Sequence, residues 1–275
     1  MLKRPFFFLT RRLVAAIFAI TATENLRAQT SPAPPVPPPV HWKGSADANG
    51  TVLYGAASQR VFGVAVGASR ADKQFELRFD ALSAYGDSKD QTTGVRSITV
   101  RNSRIGSNFD WHPHSRLSPF ALFSAESNYQ QRYASRVAAG VGAKLTIWRP
   151  ESVIGGFVQD ASVSLAVLGE DTRALHGASL PAGAGTGTRA RWSLRLRYRK
   201  RINENIRFSH LTLYQPTTNH VGQYTLESVT ELAVPLRTKL QFTISHRERL
   251  DSEAKLRGAT SIRDGQLVIG IRATF

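Results

Sequence analysis

The sequence predicts an all-β protein, a transmembrane antiparallel up-and-down β-barrel of about 12 strands. Residues 1–28 have the pattern of a secretory signal, and residues 42–275 alternate apolar and polar side chains with a period of two. The chain also ends on an aromatic residue, Phe275, in phase with the apolar row of its last segment. No apolar run long enough for a membrane helix follows residue 28, so only a closed barrel could hold the mature chain in a bilayer.

The first 28 residues favour export through a cleaved signal peptide. Basic residues at 3, 4, 11 and 12 precede a short apolar core at 13–20, and small residues follow it. Cleavage is expected near Ala28. The alternative interpretation is a buried helix or strand at the N-terminus of a cytosolic protein.

Residues 29–41 are predicted to form a proline-rich periplasmic linker. Thr30–Val40 contains six prolines, which favour an extended polyproline conformation and cannot donate hydrogen bonds to a sheet. A spacer is the expected role, and binding of a proline-reading partner is the alternative.

From Trp42 onward the chain reads as a series of strands. The clearest is Arg191–Arg201, where Trp192, Leu194 and Leu196 share one face and arginines fill the other. Lipid outside and water inside a barrel require this arrangement. The twelve predicted segments are Trp42–Tyr54, Gln59–Ser69, Lys73–Tyr85, Thr92–Ser107, Arg116–Asn128, Ser135–Trp148, Ile154–Glu170, Arg191–Arg201, Ile206–Tyr214, His220–Leu232, Leu236–Arg247 and Gln266–Phe275.

The even strand count places both ends of the barrel chain on the periplasmic side. Connections after odd strands then face outward, and they include the two longest, 171–188 and 248–265. Short periplasmic turns are expected at 71–73, 107–115, 149–153, 203–205 and 233–235.

The inward faces of the strands are predicted to carry charges of both signs. The predicted lumen-facing residues are Arg195, Arg197, Arg199, Glu227, Glu231, Arg237 and Lys239. Two interpretations stay open: an ion-paired plug that fills a narrow barrel, or a basic pore for small anionic solutes.

The composition fits partners in the outer membrane. The chain has 36 Lys and Arg against 20 Asp and Glu, a formal charge of +16, and it has no cysteine for disulfides or thiolate metal sites. Outer-membrane lipid and lipopolysaccharide are the expected surroundings, and nucleic acid is not expected.

Phe275 is expected to be recognised by the outer-membrane assembly machinery. Candidate contacts to lipopolysaccharide phosphates are Arg173, Arg189, Arg249, Lys255 and Arg257, with simple solvation as the alternative.

Several short motifs resemble the family called domain of unknown function 481, also described as salt-induced outer-membrane protein. They are Trp42-Lys43-Gly44, ALSAYG at 81–86, Arg136 followed by Gly140 and Gly142, Gly169-Glu170, LRYRKR at 196–201, Asp251-Ser252, and Asp264 before a last strand ending in Phe275. The resemblance runs from about Trp42 to Phe275. It implies an outer-membrane barrel with a stress-related or salt-related envelope role, and it implies little about activity.

The sequence contains no recognisable catalytic constellation. Seven histidines are present, but none stands in an evident serine–histidine–acid arrangement, and His112-Pro113-His114 supplies only two metal ligands. No catalytic residue, cofactor or metal site is therefore predicted, and the expected function is that of a non-enzymatic outer-membrane protein. The alternative is an outer-membrane hydrolase acting on lipid or peptide.

Overall fold

The computed structural model describes residues 42–53, 57–90, 93–154, 157–175, 185–202 and 206–275. The predicted signal (1–28) and linker (29–41) lie outside these residues. In this described part of the chain, no helix is long and apolar enough to cross a membrane.

The described residues form a closed antiparallel barrel of twelve strands, which confirms the predicted fold class. Each strand pairs with its neighbours in the chain, and β1 pairs with β12 to close the ring. The strands are β1 Lys43–Leu53, β2 Ala57–Ala71, β3 Phe75–Asp90, β4 Arg96–Trp111, β5 Leu117–Asn128, β6 Tyr133–Ile154, β7 Phe157–Ala174, β8 Gly187–Arg201, β9 Arg207–Pro216, β10 Tyr224–Arg237, β11 Leu240–Asp251 and β12 Arg263–Thr274.

Several strands run further than the alternation alone indicates. β4 continues to Trp111 and β10 to Arg237, so the turns predicted at 107–115 and 233–235 lie instead at 112–116 and 238–239. Pro235 interrupts the apolar–polar pattern, but β10 accommodates it beside a register shift between Pro235 and Arg237, where a missing ladder donor is tolerated.

The two ends of the barrel differ in their connections. One end carries the connections 175–186 and 252–262, and the latter contains a 3-10 turn at Lys255–Arg257. We call this the loop end. The opposite end, where β1 begins and β12 finishes, carries the shorter connections 72–74, 112–116 and 238–239, and we call it the turn end.

The barrel is apolar outside and polar inside. Large apolar side chains such as Val64, Ile105, Leu165 and Ile269 are exposed on the outer face, and ten of the twelve strands contribute to this set. The buried side chains of the lumen are mostly polar or charged. A soluble protein buries its apolar residues instead, so this distribution is that of a barrel surrounded by lipid.

The seam between β1 and β12 is completed by the C-terminal residue. The backbone of Phe275 exchanges two hydrogen bonds with Gly44, at 2.7 and 3.0 Å. A Cβ atom at position 44 would collide with the Phe275 ring, so glycine is what lets the ring lie across the strand. Gly44 of the Trp-Lys-Gly motif and the terminal aromatic thus belong to one contact.

Substitution of Gly44 by alanine should displace the Phe275 ring and destabilise the seam. We expect a loss of about 1 kcal/mol in the free energy of unfolding, at the low end of the range for an overpacked contact, because the exposed ring can turn aside. Gly50→Ala is the matched control, because a Cβ there would meet Phe62 at an ordinary 3.5 Å. Urea unfolding in lipid vesicles measures both, and equal stabilities would refute the seam contact.

Candidate functional site in the barrel lumen

The loop end of the lumen is filled by a network of buried charges. Its members come from five strands and from the β11–β12 connection, and we call them the plug network. They are Glu126, Tyr133, Arg136, Glu170, Arg189, Arg191, Arg249, Asp251, Glu253 and Arg257.

Asp251 links the β11–β12 connection to strand β6 on the other side of the lumen. It is fully buried, and its carboxylate accepts hydrogen bonds from Arg136 at 2.7 Å and from Arg257 at 2.6 Å. The Arg136 guanidinium also stacks over the Tyr133 ring, 4.4 Å from its centroid. Such charge-assisted bonds are strong where water is excluded, so they hold the connection inside the barrel.

Two further carboxylates complete the network. Glu170 pairs with Arg191 at 2.9 Å and with Arg189 at 3.1 Å, and Glu253 pairs with the same two arginines. Arg257 additionally donates to the backbone carbonyl of Gln131. Five arginines therefore face four carboxylates, which leaves the network close to neutral.

The position of Arg257 shows how completely water is excluded. Burial lowers the pKa of Arg257 from its ordinary value, while the Asp251 carboxylate acts in the opposite direction. From the neighbouring connection, Gly185 lies directly over this side chain with φ +70°, and a Cβ there would fall 2.7 Å from Arg257 Nη1. Gly185, just before β8, therefore packs against the β11–β12 connection.

Ion pairs also cross the full width of the barrel. In a ring of twelve strands, strands six apart are opposite each other, and two ion pairs among the described residues join such strands. Arg249 on β11 makes a bidentate pair with Glu126 on β5 at 2.7 and 2.9 Å. Arg104 on β4 reaches Glu227 on β10 at 3.1 Å. The lumen is thus bridged at two positions.

The sequence-predicted lumen charges fall into three groups. The first group is ion-paired. Glu227 pairs with Arg104, and Glu231 pairs with Arg272. Arg199 pairs with Asp160 on β7 at 2.7 Å. The second group, Arg195 and Arg197, lies on the inward row of β8.

Arg237 and Lys239, the third group, do not line the lumen wall. Arg237 is the last residue of β10 and is exposed, and Lys239 lies in the turn that follows. The register shift at Pro235 ends the regular alternation before these residues, which corrects the sequence-based placement.

Three arginines predicted to meet lipopolysaccharide are instead part of the plug network. Arg189, Arg249 and Arg257 retain 15%, 17% and 0% of their side-chain exposure. Arg189 and Arg249 lie on the inward faces of β8 and β11, and Arg257 lies in a connection that folds into the lumen, so all three point away from the outer surface. Arg173 is 78% exposed, so it stays available there.

A double-mutant cycle can measure the bridge between Arg104 and Glu227. Alanine at both positions should give a coupling free energy of about 1 to 3 kcal/mol, because the two side chains are about a quarter exposed and directly paired. The control pair Arg96–Asp87 has a half-exposed arginine and should couple by less than about 1 kcal/mol. Equal coupling in chemical denaturation would contradict a partly desolvated bridge.

The histidines that the structure describes lie outside the plug network. His210 lies on the outer face, and its two ring nitrogens contact the hydroxyls of Thr230 and Thr212 at 2.8 and 2.9 Å. His114 lines a cavity at the turn end. In the parts of the chain that the structure describes, no three His, Asp or Glu side chains converge as a metal site.

Comparisons with known proteins relate the chain to one family and to several solved structures. A family described as "Protein of unknown function, DUF481" matches residues 48–261. Among curated proteins, no sequence match is significant. Solved structures that are similar include a KdgM porin in complex with disordered oligogalacturonate, at 10% identity and a TM-score of 0.42, covering 86% of this chain and 99% of that one.

Two other solved structures have a similar relation to the chain. The NanC porin is 7% identical with a TM-score of 0.48, and the match covers 84% of this chain and 98% of the porin. The translocator domain of the autotransporter NalP from Neisseria meningitidis is 10% identical with a TM-score of 0.39, covering 97% and 94%. None of these likenesses bears on activity.

Proposed function

The chain belongs to the family described as protein of unknown function, DUF481, and we propose that it is a non-enzymatic barrel of the outer membrane whose lumen is closed at rest. The outer face offers lipid an apolar surface, and the exposed Phe275 directly follows the last strand. An export signal at 1–28 and recognition of Phe275 by the assembly machinery belong to this proposal, as do contacts of the rim with lipopolysaccharide.

The bridging of the lumen is the observation that carries the closed state. Arg249–Glu126 and Arg104–Glu227 join opposite walls, and the plug network fills the loop end with fully buried Arg191, Asp251 and Arg257. Removing one partner of a buried ion pair is costly, so these pairs resist separation and oppose the passage of hydrated ions. A barrel closed in this way serves the envelope as a membrane-embedded protein and not as an open diffusion pore.

Planar-bilayer recording tests the closed state. Refolded wild-type protein should insert without stepwise ion currents at neutral pH and moderate salt. Steady currents from the wild-type protein would overturn the proposal and favour an open pore.

Location and the absence of enzymatic activity need separate measurements. Cell fractionation should recover the protein with the outer membrane, and unboiled samples should migrate differently from boiled samples on a detergent gel. Lipase and protease assays on the refolded protein should give no turnover. Recovery in the cytosol would refute the location, and turnover would refute the non-enzymatic assignment.

A further inference from the structure

Arg195 and Arg197 are two arginines of the lumen that have no ion-pair partner in the described part of the chain. The inward row of β8 begins with Arg191, paired to Glu170, and ends with Arg199, paired to Asp160. Between these paired positions, neither Arg195 nor Arg197 forms an ion pair or side-chain hydrogen bond with any residue in the described part of the chain. Both are half-buried, so lumen water reaches them.

The residues beside these two arginines on adjacent strands are neutral. On β7, Ser164 lies opposite Arg195 and Ser162 lies opposite Arg197. On β9, the corresponding neighbours are Leu213 and Leu211. The register therefore places hydroxyls on one side of the two cations and apolar groups on the other, with no carboxylate directly opposite either arginine.

A cavity opens in front of Arg197 near the turn end. It has a volume of about 170 Å³, and its charged lining consists of Arg78, Lys144, Arg149, Arg197 and Arg199 against Glu76 and Asp160. Arg78 pairs with Glu76, Arg199 with Asp160, and Lys144 with Asp110. Arg197, unlike Arg78, Lys144 and Arg199, has no ion-pair partner among the described residues, so its guanidinium donors stay available to a guest in the cavity.

Arg195 lies on the same face of β8 as Arg197, two residues earlier in the sequence and closer to the loop end. Residues two apart on a strand are separated by about 6 to 7 Å, so an oxyanion between them can accept hydrogen bonds from both guanidinium groups. Ser162 and Ser164 are buried next to them and supply hydroxyl donors on the same wall. Two like charges held this close repel each other, and a guest with two negative charges removes that repulsion.

We infer that Arg195 and Arg197 form a binding site for a small doubly charged oxyanion, which enters the lumen from the turn end. The inference rests on the proposed function for the membrane setting, and it names the class of solute that the closed barrel holds. Because both long connections lie at the other end, the plug network need not open for this binding.

Titration with inorganic phosphate tests the site. Refolded wild-type protein in detergent at low ionic strength should show one saturable site by calorimetry. The double variant Arg195→Gln/Arg197→Gln should bind at least tenfold more weakly. The matched control, Arg116→Gln/Arg201→Gln, loses the same charge at exposed turn-end positions outside the cavity lining and should bind within twofold of wild type.

The outcomes are separable from those of the closed-lumen proposal. The variant leaves every described ion pair intact, so its gel migration should match wild type, and phosphate should raise the unfolding temperature of the wild type but not of the variant. Unchanged binding in the variant, an equal loss in the control, or no binding by the wild type overturns the site. Ion currents from the wild type would refute the closed lumen and leave the binding result unaffected.

Discussion

Replacing Asp251 with asparagine should open the loop end of the barrel. The substitution keeps the shape of the side chain but removes the charge that holds Arg136 and Arg257. Loss of one partner from a buried ion pair costs about 3 to 5 kcal/mol, which is enough to favour release of the β11–β12 connection into solvent. We expect stepwise currents in planar bilayers where the wild type shows none, together with tryptic cleavage after Arg257.

The exposed pair at the same end of the barrel provides the control. Asp171 is 41% exposed and pairs with the exposed Arg173, so Asp171→Asn should leave both the conductance and the tryptic pattern unchanged. A variant at Asp251 that stays sealed and protected would show that the plug network does not close the barrel.

Valine at position 140 should prevent the barrel from forming. Gly140 faces the lumen at the β6–β7 contact, where a Cβ would collide with the carbonyl oxygen of Val167 and approach a methyl group of Leu168 to 2.5 Å. A backbone atom cannot move aside as a flexible side chain can, so the strain falls on the strand pairing itself. We expect a loss above about 3 kcal/mol and no folded band on an unboiled gel.

Ala139 is the neighbouring position with the opposite orientation. It faces outward and is exposed, so Ala139→Val adds the same β-branched side chain where lipid can accommodate it. This control should fold like wild type. If Gly140→Val also folds normally, the close approach of β6 and β7 is not required.

The strands could be predicted because their signal is local. The alternation in Arg191–Arg201 fixes which residues face inward, and the described β8 follows that phase as far as Arg199. The strand boundaries were harder to predict. Strand β4 runs on through Asn108 and Asp110, although this segment is rich in residues that usually form turns.

The plug network depends on information that alternation does not contain. Whether Glu126 meets Arg249 or another arginine depends on which strands stand opposite each other once the ring has closed. Glu253 and Arg257 lie in a connection with the polarity of an external loop, and only the inward fold of that segment buries them. The Gly169-Glu170 and Asp251-Ser252 motifs were the available signal, since they contain two of the four carboxylates.

The pair between Glu126 and Arg249 also has a consequence for the order of assembly. Its partners are separated by 123 residues and stand on strands that meet only across a completed ring. Contacts of such long sequence separation form late, after the loop-closure entropy has been overcome. Until the seam between β1 and β12 joins, the arginines and carboxylates of the interior therefore stay hydrated. Dehydration of the lumen marks the last stage of folding, and amide exchange near Arg249 should become slow only after the first and last strands have paired.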